Sequence, residues 1–246
     1  GPRHGRRHGR RTERLIPDFA DLARAVSVWA LPVLLAITLH EAAHGWAAWK
    51  LGDDTAKRLG RVSFNPLRHI DPFGTIVLPA MILLLSGGRF MLGYAKPVPV
   101  AVERLRNPRW HMVLVAAAGP AANLLIAFVA ALLLHTLPYL PSFALEWAGR
   151  NLENAILFNL VIAVFNMMPL PPLDGGRIVT GLLPYRLAVP FARLERWGLL
   201  IVLGLVFLLP FLGNQLGMDL DLFSSVILGT AYALAVLVLT VAGFGG

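Results

Sequence analysis

Leu39-His40-Glu41-Ala42-Ala43-His44-Gly45 lies inside an apolar run, Ala25 to Trp49, whose only formal charge is Glu41. On a helix, His40 and His44 are one turn apart and share a face, so two imidazoles can hold one metal ion. Glu41 stands about 100° round from His40 on the same helix. That places it beside the ligands but clear of the metal, where a general base can deprotonate a water. Three ionisable side chains within five residues of a hydrophobic span are costly, and a function must explain them.

Working outward, 57% of the 246 residues are hydrophobic and 15% are charged, with a mean hydropathy of +0.65. Soluble domains carry roughly a quarter charged residues. The expected class is therefore an all-α polytopic membrane protein embedded in a lipid bilayer. Cysteine is absent, so a metal site must use nitrogen and oxygen donors. The net charge of +8 reads as loops facing anionic lipid, with no nucleic-acid partner expected.

Residues 1–24 hold seven arginines and read as a basic, disordered tail. Residues 25–246 read as a single membrane-embedded domain. Ala25–Trp49 is long enough to cross a bilayer, with Pro32 as a kink site. Ile76–Leu85 is apolar but only ten residues long, which suits a re-entrant or extended segment. Met112–Leu134 is a crossing helix carrying Gly119-Pro120-Ala121-Ala122-Asn123. Its Asn123 serves either helix packing or the site. Ala155–Met168 is the next helix and runs into Asn166-Met-Met-Pro169-Leu-Pro-Pro-Leu-Asp174-Gly-Gly-Arg177, where the prolines forbid a regular helix. Trp197–Leu212 and Leu222–Gly243 complete about five transmembrane helices plus the re-entrant segment.

A catalytic zinc takes three protein ligands and keeps one position open. Of the fourteen acidic residues, most lie in the tail, in loops or at helix ends. Asp174 follows an apolar helix through a broken segment, with Gly175 and Gly176 allowing close backbone approach. A plain Pro-Leu-Asp-Gly turn explains it equally well, and position alone leaves the two readings level.

These motifs in this order resemble the site-2 protease family, peptidase family M50, whose members are intramembrane zinc metalloproteases. Asn65-Pro-Leu-x-His69-Ile-Asp71-Pro and Ala95-Lys-Pro-Val-Pro-Val100 are similar to a short bacterial form without PDZ or CBS domains. The resemblance implies a site-2 protease core with one Zn2+ per chain held by His40, His44 and Asp174, and Glu41 as the catalytic base. It further implies Asn166, Pro169 and, more weakly, Asn123 as substrate contacts. The implied activity is cleavage of single-span membrane proteins. A membrane metal-ion transporter or metal-binding protein is the competing class, since histidines and a carboxylate also line ion paths.

His44 and Asp174 both sit near the C-terminal ends of apolar runs, so those two helices are expected to be parallel. Alternation then puts loops 50–73, 88–110 and 169–196 on the site's side, with five, five and four Lys/Arg. Loops 135–153 and 213–221 fall on the far side with one and none. The positive-inside rule thus expects an inner-membrane protein with its site towards the cytoplasm.

Overall fold

The computed structural model describes residues 19–69, 71–77, 81 and 96–245. Helix α1 spans Phe19–Lys50 and continues through Pro32, so the last residues of the expected tail belong to its first turns. The next long helices are α2 (Pro108–Leu133), α3 (Ser142–Asn166), α4 (Asp174–Leu182) and α5 (Tyr185–Ala192). Then come α6 (Glu195–Leu203), a π-helical turn at Gly204–Leu208, α7 (Leu209–Leu216) and α8 (Leu222–Leu239). No strand occurs among the described residues. The protein is an all-α polytopic membrane protein.

Among the described residues, four stretches are long and apolar enough to cross a bilayer: Val26–Lys50, Pro108–Tyr139, Glu195–Leu216 and Leu222–Phe244. Leu125, Leu200, Leu228 and Tyr232 project from them exposed, as lipid-facing side chains do. Helix α3 is 25 residues long, but Glu146, Arg150 and Glu153 in its first half keep it out of that set. It starts at Ser142, not at Ala155, and Glu146 and Arg150 pair one turn apart at 2.9 Å on the exposed face of that first half. Its second half packs in the centre of the molecule. There Ile156 and Leu160 meet Ala127, Ala130 and Ala131 of α2 and Ala231 of α8. Alanines at these contacts let the helix backbones come close, which replaces the hydrophobic drive that lipid removes.

Paired contacts give the helix directions. Asn154 of α3 donates to Val28 O of α1 at 3.0 Å, and Asp174 beyond the end of α3 meets His44 near the end of α1. The two helices are therefore parallel, as expected. Helix α2 is antiparallel to α1, since Val115 faces His44 while Asn123, further along, faces Ala36. His69 O accepts from Lys96 N at 2.9 Å, so these two residues lie side by side. The expected re-entrant segment, Ile76–Leu85, lies almost wholly outside the described residues.

The last helix departs from the expected alternation. Phe223 at the start of α8 packs edge-on against Phe165 at the end of α3, 6.2 Å between ring centroids. At its other end, Ala242 O accepts from His135 just beyond α2, at 2.7 Å. Helix α8 is thus antiparallel to α3 and begins at the site's end of the bundle, which moves the loop before it off the far side. Alternation assumed that each apolar run carries the chain straight across. Length and composition set whether a helix can span, but packing sets its direction.

Candidate metal centre

One helical turn of α1 places His40 and His44 on the face packed against α2, and both are buried. Gly119 of α2 is what admits them. A Cβ at that position would lie inside contact distance of both imidazoles, so only glycine lets the rings stand between the helices. Asp174 is the first residue of α4 and reaches the same point from the other side, its carboxylate at a helix N-terminus, where the backbone dipole favours negative charge. Gly175 and Gly176 allow this approach differently from expectation. A Cβ on either would strike the backbone of residues 167–171, so they let α4 lie against its own preceding turn.

Three donor atoms converge. Asp174 Oδ2 is 3.2 Å from His40 Nε2 and 3.3 Å from His44 Nε2, and the two Nε2 atoms are 3.0 Å apart. The ring protons can be placed by working outward through fixed partners. Val115 O can only accept, so His44 donates to it from Nδ1 at 2.7 Å. Asn159 Nδ2 donates to Ala155 O, which turns its Oδ1 towards Asn123 Nδ2 at 2.7 Å. Asn123 also donates to Ala36 O, so its Oδ1 accepts from His40 Nδ1 at 2.6 Å. Both Nδ1 atoms therefore carry the proton, and both Nε2 atoms present lone pairs.

Two lone pairs and a buried carboxylate oxygen without a hydrogen-bond partner among the described residues face one another at these distances. Such a set repels itself unless a cation lies between. Tetrahedral zinc with bonds of about 2.0–2.1 Å sets its donors about 3.3–3.4 Å apart, close to the edges seen here. The donor chemistry fits too: nitrogen and oxygen only, three ligands, each histidine held through its other ring nitrogen.

Glu41 points into the same cavity, about 400 Å³ in volume. Its Oε2 accepts from the Val98 amide at 2.8 Å, which holds the carboxylate beside the donor set without joining it. Asn166 lines this cavity, its side chain bonded back to Ile162 O at 3.0 Å. Two expected substrate contacts are placed otherwise. Pro169 is exposed and does not line the cavity, whereas Pro172 does. Asn123 is wholly buried and its amide bonds to His40, Ala36 and Asn159, so it holds the His40 ring and does not line the cavity. His69 is buried in the loop after α1, bonded to Ser63 O, and does not reach the site.

Other residues had no role in the sequence reading. Arg177 and Glu195, 3.7 Å apart, line both this cavity and an adjoining apolar one of about 750 Å³. Asp53, set aside among loop acids, is fully buried. It accepts from Thr55 N at 3.0 Å, Thr55 Oγ1 at 2.5 Å and Ala101 N at 2.7 Å. It thereby ties the end of α1 to the extended segment that carries Val98. Only the Asx-turn pattern Asp-x-Thr hinted at this.

A donor triad with an adjacent carboxylate, set within apolar helices, suits metal-assisted hydrolysis inside a membrane protein. The profile of Peptidase family M50 matches residues 28–143 and 144–209. The chain is 36% identical over 207 residues to YwhC of Bacillus subtilis, named as a candidate zinc metalloprotease, covering 80% of this chain and 90% of that protein. It is 31% identical over 173 residues to Rip2 of Mycolicibacterium smegmatis, also so named, covering 70% of this chain and 64% of that one. No solved structure matches. The chain belongs to peptidase family M50 and is a zinc metalloprotease.

Proposed function

We propose that this protein is an intramembrane endopeptidase that hydrolyses peptide bonds within the membrane-spanning helices of single-span proteins. His40, His44 and Asp174 hold one Zn2+ and Glu41 is the general base. The observation that carries this reading is Glu41 held in the cavity of the donor triad, among helices apolar enough to span a bilayer. An ion path needs ligands but no base beside them.

Bound zinc supplies Lewis acidity, polarising a carbonyl and lowering the pKa of a water. The protein's own residues do the rest. The Val98 amide fixes Glu41 Oε2, leaving Oε1 to take a proton from the attacking water and return it to the leaving amine. The Nδ1 bonds of His40 and His44 keep both rings in the tautomer that ligates. A substrate helix keeps its carbonyls in intrahelical bonds and must unwind locally before it is cut. The extended backbone of Lys96–Val100 borders the cavity where such a strand would lie. Residues 25–246 act as one domain. The Lys/Arg counts of loops 50–73, 88–110 and 169–196, set against 135–153, favour a cytoplasm-facing site in a bacterial inner membrane.

The test is cleavage of a single-span substrate in proteoliposomes by the wild type and Glu41→Gln. The variant should keep zinc and lose at least about 1,000-fold in rate, since the base acts only in the chemical step. Undiminished cleavage by that variant refutes the reading, and zinc flux that survives the change favours the transporter.

A further inference from the structure

A second cavity, about 480 Å³, opens on the loop that follows α1 and is lined by Leu59, Arg61, Arg68, Lys96, Pro97 and Pro99. Among the described residues, three cations line it and no acid does. Their neighbours Arg58 and Arg104 are spent on Asp54, at 2.5 and 3.4 Å, whereas Arg61, Arg68 and Lys96 have no ion pair among the described residues.

The guanidinium groups are nonetheless built in. Arg61 donates to Arg68 O and, at 2.8 Å, to Lys96 O. Arg68 donates to Gly60 O at 2.7 Å. Gly60 has φ 66°, and a Cβ there would strike the Arg68 guanidinium. Neutral carbonyls fix these groups without offsetting their charge, and Arg61 Nε is buried with no acceptor among the described residues. Three like charges held around one hollow repel each other, and an anion with several acceptor oxygens relieves this.

The surroundings say which anion. Lys57 lies over the Trp49 ring at 3.7 Å and Lys50 at 4.8 Å, an aromatic–cation pairing typical of the membrane–water interface. On the same loop Phe64 is 78% exposed, Leu67 73% and Leu59 62%. Large apolar side chains interleaved with cations at the end of a spanning helix belong in a headgroup layer, not in open water. We propose that Arg61, Arg68 and Lys96 form a site for the phosphate of an anionic phospholipid. The lipid would sit two residues from Val98, whose amide holds Glu41.

The test uses the full chain in nanodiscs of phosphatidylcholine doped with labelled phosphatidylglycerol, and needs no proteolytic activity. Retention of the labelled lipid should fall about tenfold or more in Arg68→Gln and in Lys96→Gln, by loss of a charge-assisted contact. It should stay at the wild-type level in Arg150→Gln, whose arginine pairs with Glu146 on α3. Lys96→Gln guards against misfolding, because no bond of the Lys96 ammonium holds the loop. Equal retention in wild type and Lys96→Gln overturns the proposal. Displacement of the lipid by millimolar inorganic phosphate also overturns it, since the site would then take any small phosphate.

Discussion

His40 donates from Nδ1 to the Asn123 amide oxygen at 2.6 Å, across the contact between α1 and α2. Asn123 is in turn oriented by Asn159 and Ala36 O, so the ring's tautomer is decided by a chain of amides outside the donor triad. Asn123→Ala should weaken zinc binding about 10–100-fold, and Asn159→Leu should do so less, because Ala36 O still orients Asn123. Competition against a graded series of chelators reads both. Unchanged affinity in Asn123→Ala would remove the tautomer argument.

Gly119→Ala pushes a methyl group into both imidazoles. Zinc content should drop to the level of a protein without ligands, measured by elemental analysis after gel filtration. Gly229→Ala, at a position with nothing within 4 Å, is the matched control and should keep full occupancy.

Asp174→Ala should lower zinc occupancy strongly, while Asp71→Ala, a loop acid bonded to Gly74 N, should lower it far less. Equal metal in wild type and Asp174→Ala would exclude it as a ligand.

How legible these features were depends on what each residue does. His40, Glu41 and His44 could be read directly, because helical spacing alone puts them together. Asp174 needed the family resemblance, since a plain Pro-Leu-Asp-Gly turn looks the same in sequence. Asn159 and the placement of Pro172 in the cavity were not legible, because both follow from contacts between distant helices. The first half of α3 was missed because Glu146, Arg150 and Glu153 interrupt its apolar run. The direction of α8 was misread because a hydrophobic length carries no orientation.

Asp53 carries a pH prediction. Burial would raise its carboxyl, but the Thr55 hydroxyl and amide and the Ala101 amide outweigh burial and hold it below the usual carboxylate range. Because the folded state has the lower pKa, this stabilisation is present above the unfolded value and is lost as pH falls through the folded one. The detergent-solubilised protein should therefore lose melting temperature below about pH 4. Asp53→Asn should flatten part of that loss, and should cost about 1–3 kcal/mol at neutral pH by setting an N–H against the Ala101 amide.

Single cysteines at Ser63, Glu103 and Ser142 test the topology in intact cells, since the chain has no cysteine of its own. An impermeant maleimide should label Ser142→Cys alone. Labelling at Glu103 but not at Ser63 would mean that the chain between them crosses the membrane, contrary to the bond joining His69 and Lys96.

The central claim is hydrolysis inside the span of a membrane helix. Its most direct test is mass spectrometry of the products when the zinc-loaded enzyme acts on a single-span substrate in proteoliposomes. New termini are expected within the substrate's apolar segment, formed by the wild type and absent with Glu41→Gln at equal zinc content. Termini confined to the substrate's soluble flanks, or the same products from Glu41→Gln, would contradict it.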